Sequence, residues 1–176
     1  MGCTFNAMNI ISEKEDGVTF VNEILPMTPC QYILQKVVVG FLFGSLSSII
    51  TACICFQLSW NHWGLMLALI LLSSFVAALI GLFTGKLSEG LMIGVVYIKI
   101  IMLVFIAVPI LCALIGVSGP LAVVCNIVPS QPAFDGIMAL SAGNMGTAAK
   151  DAGILTVHAA AWFLLYVLTA APRRRL

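Results

Sequence analysis

An uncharged apolar run, GLMLALILLSSFVAALIGLFT, occupies residues 64–84. A helix of roughly 20 apolar residues crosses the hydrocarbon core of a bilayer, because each residue adds about 1.5 Å of length. Three further runs are similarly long and apolar, at residues 37–57, 91–117 and 152–171, and the second of these contains one lysine. The sequence therefore predicts an all-α, polytopic membrane protein with about four transmembrane helices, in a single transmembrane domain over residues 1–176.

The composition supports a membrane location. Of the 176 residues, 61% are hydrophobic and only 9% are charged, against roughly 25% charged in a soluble domain. The net charge of +1 comes without a basic stripe carrying interleaved aromatic residues, so we expect no nucleic-acid binding. The six cysteines fit neither a zinc nor a disulfide framework by their spacing, and we predict no metal site.

The basic residues predict an orientation. Four spans place six of them on one side of the membrane: Lys14, Lys36, Lys86, Arg173, Arg174 and Arg175. The opposite side holds only Lys150. Because cytoplasmic loops carry an excess of lysine and arginine, we expect a multi-pass protein of the cell (inner) membrane with both termini in the cytoplasm.

Two ionisable residues lie inside the predicted spans. Lys99 lies about 12 Å into its span, at about 1.5 Å per residue, so its ammonium group either extends back to the cytoplasmic headgroups or lines a transport pathway. His158 lies about a turn and a half into the last span. It forms either a hydrogen bond between helices or part of a pathway.

Small residues recur every fourth position in the first two spans. One row is Gly40, Gly44, Ser48 and Ala52, and the other is Ser73, Ala77, Gly81 and Gly85. Such rows let another helix approach closely. They predict faces for helix packing, within the chain or between subunits.

Residues 12–36 form a predicted cytoplasmic segment. A charged start, Glu13-Lys14-Glu15-Asp16-Gly17, leads into a short amphipathic stretch that includes Leu25 and ends at Pro26. Thr28 and Pro29 have the pattern of a helix start, with a capping residue followed by proline. We expect this segment to dock a soluble partner, although a simple connector on the headgroups is the alternative.

Residues 118–151 form a predicted outer connection that is too apolar to lie in water. Ser130 and Pro132 are typical of a helix start, and residues 143–146 are typical of a helix end. We expect a short helix that dips into the outer leaflet and is partly re-entrant.

In order along the chain, these segments resemble the permease subunits of ABC-2 type exporters, including small bacterial drug or fluoroquinolone exporters. The resemblance lies in ISEKEDGV (residues 11–18), LPMTP (25–29), YILQK (32–36) and the turn PSQP (129–132). Such permeases usually have six spans, two of them before the acidic segment. The resemblance therefore implies a permease that lacks the first span and most of the second.

The resemblance also implies a mechanism. A separate cytoplasmic ATPase would bind ATP and Mg²⁺, while this chain would bind no cofactor, catalyse no reaction and line a pathway as a homodimer surrounded by membrane lipids. The residues that would meet the ATPase are Glu13, Lys14, Glu15, Asp16, Gly17, Leu25, Pro26, Thr28 and Pro29. The sequence has no G-x-x-x-x-G-K-[ST] phosphate-binding loop of its own.

An alternative function is an ATP-independent transporter or channel, or an accessory membrane subunit. Lys99, His158 and Asp151 would then be its ionisable residues. An intramembrane enzyme is not supported, because neither H-E-x-x-H nor G-x-S-x-G occurs in the chain.

Overall fold

The computed structural model describes residues 2–17, 29–55, 62–116 and 120–170. Within these residues every regular element is a helix: α1 (Gly2–Glu15), α2 (Pro29–Cys55), α3 (Trp63–Leu87), α4 (Leu91–Ile115), α5 (Pro120–Cys125), α6 (Ser130–Ser141) and α7 (Met145–Ala170). Four of the described helices are long and apolar enough to cross a membrane, over Leu34–Cys55, Trp63–Leu87, Leu91–Ile115 and Met145–Thr169. The predicted all-α fold with four spans is confirmed.

The last span begins earlier than the sequence analysis placed it. The outer connection was expected to reach Asp151, but α7 starts at Met145. Gly143 has a positive φ of 79°, which ends α6. Asn144 then accepts a hydrogen bond through its side-chain oxygen from the backbone N–H of Thr147 at 3.3 Å, and this cap starts the new helix.

Helix α3 forms the centre of the bundle. It contacts α1, α2, α4, α6 and α7. Its apolar window is 56% buried inside the protein, against 17–28% for the other three spans. The other spans therefore keep broad apolar faces for lipid or for another subunit, since lipid is the solvent for such faces.

Helix α1 is short but deeply buried against the bundle. It packs on α2, α3 and α4, and Ala7, Ile10 and Ile11 on its inner face are almost fully buried. Their spacing of three and four residues places them on one side of the helix. Residues 12–15, which the sequence analysis assigned to the cytoplasmic segment, form the last turn of α1.

The connection between α4 and α7 enters the bundle and returns. Pro129 and Ser130 line the same cavity as Gly44 and Ser74, which lie near the middle of α2 and α3. From this depth α6 runs back outward for 12 residues. It packs closely on α3 and α7. A Cβ atom built at Gly136 would already touch the side chains of Leu69 and Asp151. Because of this path we call residues 120–141 the re-entrant segment, and its placement in the outer leaflet stays a prediction.

Candidate functional site

Glycines on three helices form a groove that holds α1. A methyl group at Gly40 of α2 would overlap the side chain of Asn6, and one at Gly81 of α3 would overlap the backbone of Cys3. A methyl group at Gly94 of α4 would overlap another side chain of α1. These helices approach α1 closely because the groove residues have no side chain.

Gly44 extends the same groove towards the start of α1. A Cβ added at Gly44 would lie 3.3 Å from the Cα of Gly2 and 3.7 Å from the Cβ of Ser74. The predicted glycine positions 40, 44 and 81 therefore all lie against α1 or its first residue. The partner of these glycines is α1, a helix to which the sequence analysis assigned no packing role.

Asn6 is a polar side chain on the buried face of α1 that the sequence analysis missed. It is 1% exposed, and its Nδ2 donates a hydrogen bond to the backbone oxygen of Ala78 at 3.1 Å. A helix carbonyl in an apolar interior gains from such a donor. The sequence pattern that could have indicated its burial is an asparagine that shares a helix face with apolar residues three positions before it and four positions after it.

Lys14 caps the end of α3. Its Nζ donates hydrogen bonds to the backbone oxygens of Gly85 at 2.9 Å, Lys86 at 2.7 Å and Ser88 at 2.7 Å. Carbonyls in the last turn of a helix have no partner within the helix, and a cation there also complements the helix dipole. Partial burial and the Lys86 charge lower the pKa of Lys14, while Glu89 opposes this shift.

The two glutamates beside Lys14 contact two other helices. Glu13 forms an ion pair with Lys36 in the first part of α2. The Oε1 of Glu15 accepts a hydrogen bond from the backbone N–H of Leu91 at 2.9 Å. Leu91 begins α4, so Glu15 supplies the negative group that a helix N-terminus favours. Three consecutive residues of α1 thus connect it to α2, α3 and α4.

Glu15 is therefore expected to stabilise α4 from another helix. Replacing Glu15 with alanine should lower the free energy of unfolding by about 0.5–2 kcal/mol, the usual range for losing a helix N-terminal cap. The measurement is thermal unfolding of the purified protein in detergent. Glu89→Ala is the matched control, because Glu89 carries the same charge near Leu91 but makes no hydrogen bond to a described residue. Equal losses in the two variants would contradict the capping role.

Of the remaining predicted docking residues, three lie within the described part of the chain and three lie outside it. Asp16 and Gly17 are exposed in the turn after α1, where the Oδ2 of Asp16 accepts a hydrogen bond from Ser12 Oγ at 3.3 Å. Pro29 is the first residue of α2. The others lie outside the described residues: Leu25, Pro26 and Thr28. Asp16 is thus an exposed carboxylate at this end of the bundle with a partner only in its own turn, whereas Glu13, Lys14 and Glu15 contact other helices.

Lys86 extends the same set of contacts to the last span. Its Nζ donates to the backbone oxygen of Thr169 at 2.6 Å and lies 5.7 Å from the centre of the Tyr166 ring. Lys86 therefore caps α7 as Lys14 caps α3. We call Glu13, Lys14, Glu15, Lys36 and Lys86 the cap network. It brings together, at one end of the bundle, three of the basic residues that were predicted to share a side.

The two ionisable residues predicted inside spans lie apart from each other. Lys99 is exposed on α4, and no described residue pairs with it. His158 of α7 is half-buried, and its Nε2 lies 2.8 Å from the backbone oxygen of Asn126 in the turn before α6. His158 thus joins the last span to the re-entrant segment, while Lys99 faces away from the bundle.

Two of the cavities among the described residues lie between the long helices. One, of about 270 Å³, lies beside the first residue of α1, and five serines form part of its otherwise apolar wall: Ser47, Ser48, Ser73, Ser74 and Ser130. An apolar cleft of about 360 Å³ lies between α3, α4 and α7, where Phe83, Phe105 and Trp162 form part of its wall. The cleft is of the size that binds small molecules.

These features define a helical membrane protein in which a short buried helix joins a charged network at one end to the spans. A family model described as "ABC-2 family transporter protein" matches residues 1–168. The chain belongs to this family, and it is a membrane permease component of an ABC-type transporter rather than an enzyme. No curated protein and no solved structure matches the chain.

Proposed function

We propose that the chain is the membrane-spanning permease subunit of an ABC-2 exporter, acting as a homodimer and driven by a separate cytoplasmic ATPase. The observation that carries the proposal is the match to the family over residues 1–168. The ATPase would hold the nucleotide and its Mg²⁺. The cap network would lie at the cytoplasmic ends of the spans, in the inner membrane, as the basic residues favour.

Helix α1 is the proposed transmission element. Its charged end leads into residues 16–29, which would meet the ATPase, and the buried face of its body packs on α2, α3 and α4. A close-packed helix transmits displacement, because its neighbours leave no space for it to move alone. The caps on α3, α4 and α7 would carry the same displacement to the ends of three spans.

ATP would act by changing the relative stability of two arrangements of the spans. A ligand shifts such an equilibrium only by its difference in affinity for the two states. Closure of the ATPase dimer on ATP would favour the arrangement in which the cytoplasmic ends of α1 are pushed together. Hydrolysis would return the permease to the other arrangement.

The proposed pathway lies between two copies of the chain. Helix α4 is only 17% buried over its apolar window, and Lys99 is exposed on it. A lysine facing lipid is costly, so we place this face of α4 towards the pathway of the dimer. The apolar cleft beside Phe83, Phe105 and Trp162 supports a hydrophobic, drug-sized substrate.

The test is photo-crosslinking from position 16. A photoreactive amino acid in place of the exposed Asp16 is expected to crosslink to a protein that carries a phosphate-binding loop, identified by mass spectrometry. The matched control is the same amino acid in place of Ala142, which is also exposed but lies between α6 and α7. Crosslinking to the ATPase from both positions, or from neither, would overturn the proposed docking face.

A further inference from the structure

Two cysteines that are 13 positions apart in sequence come into contact in the fold. The Sγ atoms of Cys112 and Cys125 lie 2.7 Å apart. Cys112 is in the last turn of α4 and Cys125 is the last residue of α5. Both are partly exposed. A small movement of the two side chains would bring the sulfurs to the roughly 2.05 Å of a covalent S–S bond.

A small polar pocket gives access to both sulfurs. It has a volume of about 190 Å³ and is lined by Asn126, Gln131 and Asp135 as well as by the two cysteines. Gln131 is 6% exposed and donates through Nε2 to Asp135 at 2.7 Å. A hydrophilic oxidant can therefore reach thiols that lie near the end of a membrane span.

We propose that Cys112 and Cys125 form a disulfide bond on the outer side of the membrane. This inference goes beyond the transport function and uses only the orientation proposed above. The outer face of a cell membrane is an oxidising environment where disulfides persist. Cys53 and Cys55 are exposed on the apolar surface of α2, and among the described residues neither sulfur contacts another cysteine, so we expect them to stay reduced.

The oxidant is a disulfide-bearing protein or small molecule, and the reaction is thiol–disulfide exchange. The thiolate of one cysteine attacks a sulfur of the oxidant, forms a mixed disulfide and releases one oxidant thiolate. The second cysteine loses its proton and attacks the sulfur of the first. This step forms the Cys112–Cys125 bond and releases the second oxidant thiolate, so two electrons pass to the oxidant.

The bond would fix the start of the re-entrant segment. Helix α5 has only 6 residues and packs against α4. The turn after α5 reaches His158 through the backbone of Asn126. A covalent link between α4 and α5 therefore holds the outer end of one span against the segment that leads into the bundle.

The test is thiol trapping in whole cells. Cells are quenched in acid, free thiols are blocked with N-ethylmaleimide under denaturing conditions, and the protein is then reduced and treated with maleimide-polyethylene glycol. We expect two added polymer chains per wild-type protein, and none for Cys112→Ser or Cys125→Ser. Cys53→Ser is the matched control and should keep both. A digest without reduction should contain the peptide that links positions 112 and 125.

A wild-type protein with no added polymer chains would overturn the proposal, provided that an exported disulfide protein in the same cells is oxidised. A second measurement separates the two reasons for such a failure. Purified, reduced protein is treated with glutathione disulfide in detergent. Bond formation there but not in cells would show that the orientation is wrong, whereas no bond in either would show that the thiol contact is wrong. Neither result would bear on the presence of an ATPase.

Discussion

Replacing Gly81 with alanine is expected to lower the free energy of unfolding by about 2–3 kcal/mol, at the upper part of the range for overfilled interiors. The added methyl group would overlap the backbone oxygen and the Cα of Cys3. Backbone atoms of a buried helix cannot move aside as the end of a side chain can, so α1 must shift out of its groove. The measurement is thermal unfolding of the purified protein in detergent.

Gly153→Ala is the matched control for this substitution. Gly153 lies in α7, and a methyl group there would meet no atom within 4 Å. Alanine also favours a helix more than glycine does, by about 1 kcal/mol, so this variant should be as stable as wild type or more stable. If both variants have the stability of wild type, α1 does not lie in the groove. The proposed role of α1 in transmitting displacement would then be contradicted as well.

Lys14→Met is expected to destabilise the bundle by about 2 kcal/mol. Three backbone carbonyls lose a charged donor, and each such bond contributes about 1.5–3 kcal/mol when fully buried. The total is lower here because Lys14 is only partly buried and water can replace part of the interaction. In the complete transporter, transport per ATP hydrolysed should fall, since the end of α3 is no longer held to α1.

Lys150→Met is the control for Lys14→Met. It removes the same charge from an exposed position on α7 that has no hydrogen-bond partner among the described residues. Stability and transport per ATP should stay close to those of wild type. The account is contradicted if Lys14→Met keeps wild-type stability and full coupling, because the cap network would then be dispensable.

The sequence was sufficient for the parts of the fold that depend on local pattern. Long uncharged runs specify spans, because only a helix satisfies its own backbone in lipid. The proline and serine pattern at residues 129–132 predicted a short helix, and α6 begins at Ser130. The rows containing Gly40 and Gly81 predicted close packing of helices without naming the partner.

The role of α1 could not be predicted from its own residues. Residues 2–11 are only moderately apolar, and their burial depends on glycines that lie 34 to 83 positions further along the chain. The partners of Lys14 are 71–74 positions away. Charged residues next to a span are equally typical of a docking surface and of helix caps. Only the tertiary arrangement distinguishes the two.

The contact between Cys112 and Cys125 could not be predicted from the local sequence either. Cys112 lies in an apolar run, where cysteine usually acts as a small hydrophobic residue. Its contact with Cys125 depends on α5 turning back onto the end of α4 after Gly116, whose φ of 65° ends that helix. A glycine between two apolar runs indicates a turn, but it does not give the direction in which the next helix packs.

The most direct measurement is gentle extraction of the tagged chain from its native membranes, followed by identification of the co-purifying proteins and an ATPase assay. We expect a stoichiometric subunit with a phosphate-binding loop and an ATPase activity that co-purifies with it. A chain that is purified in folded form without such a subunit, and without any nucleotide-dependent change, would contradict the proposed role as an ATP-driven permease. An ATP-independent transporter or an accessory membrane subunit would then be the better account.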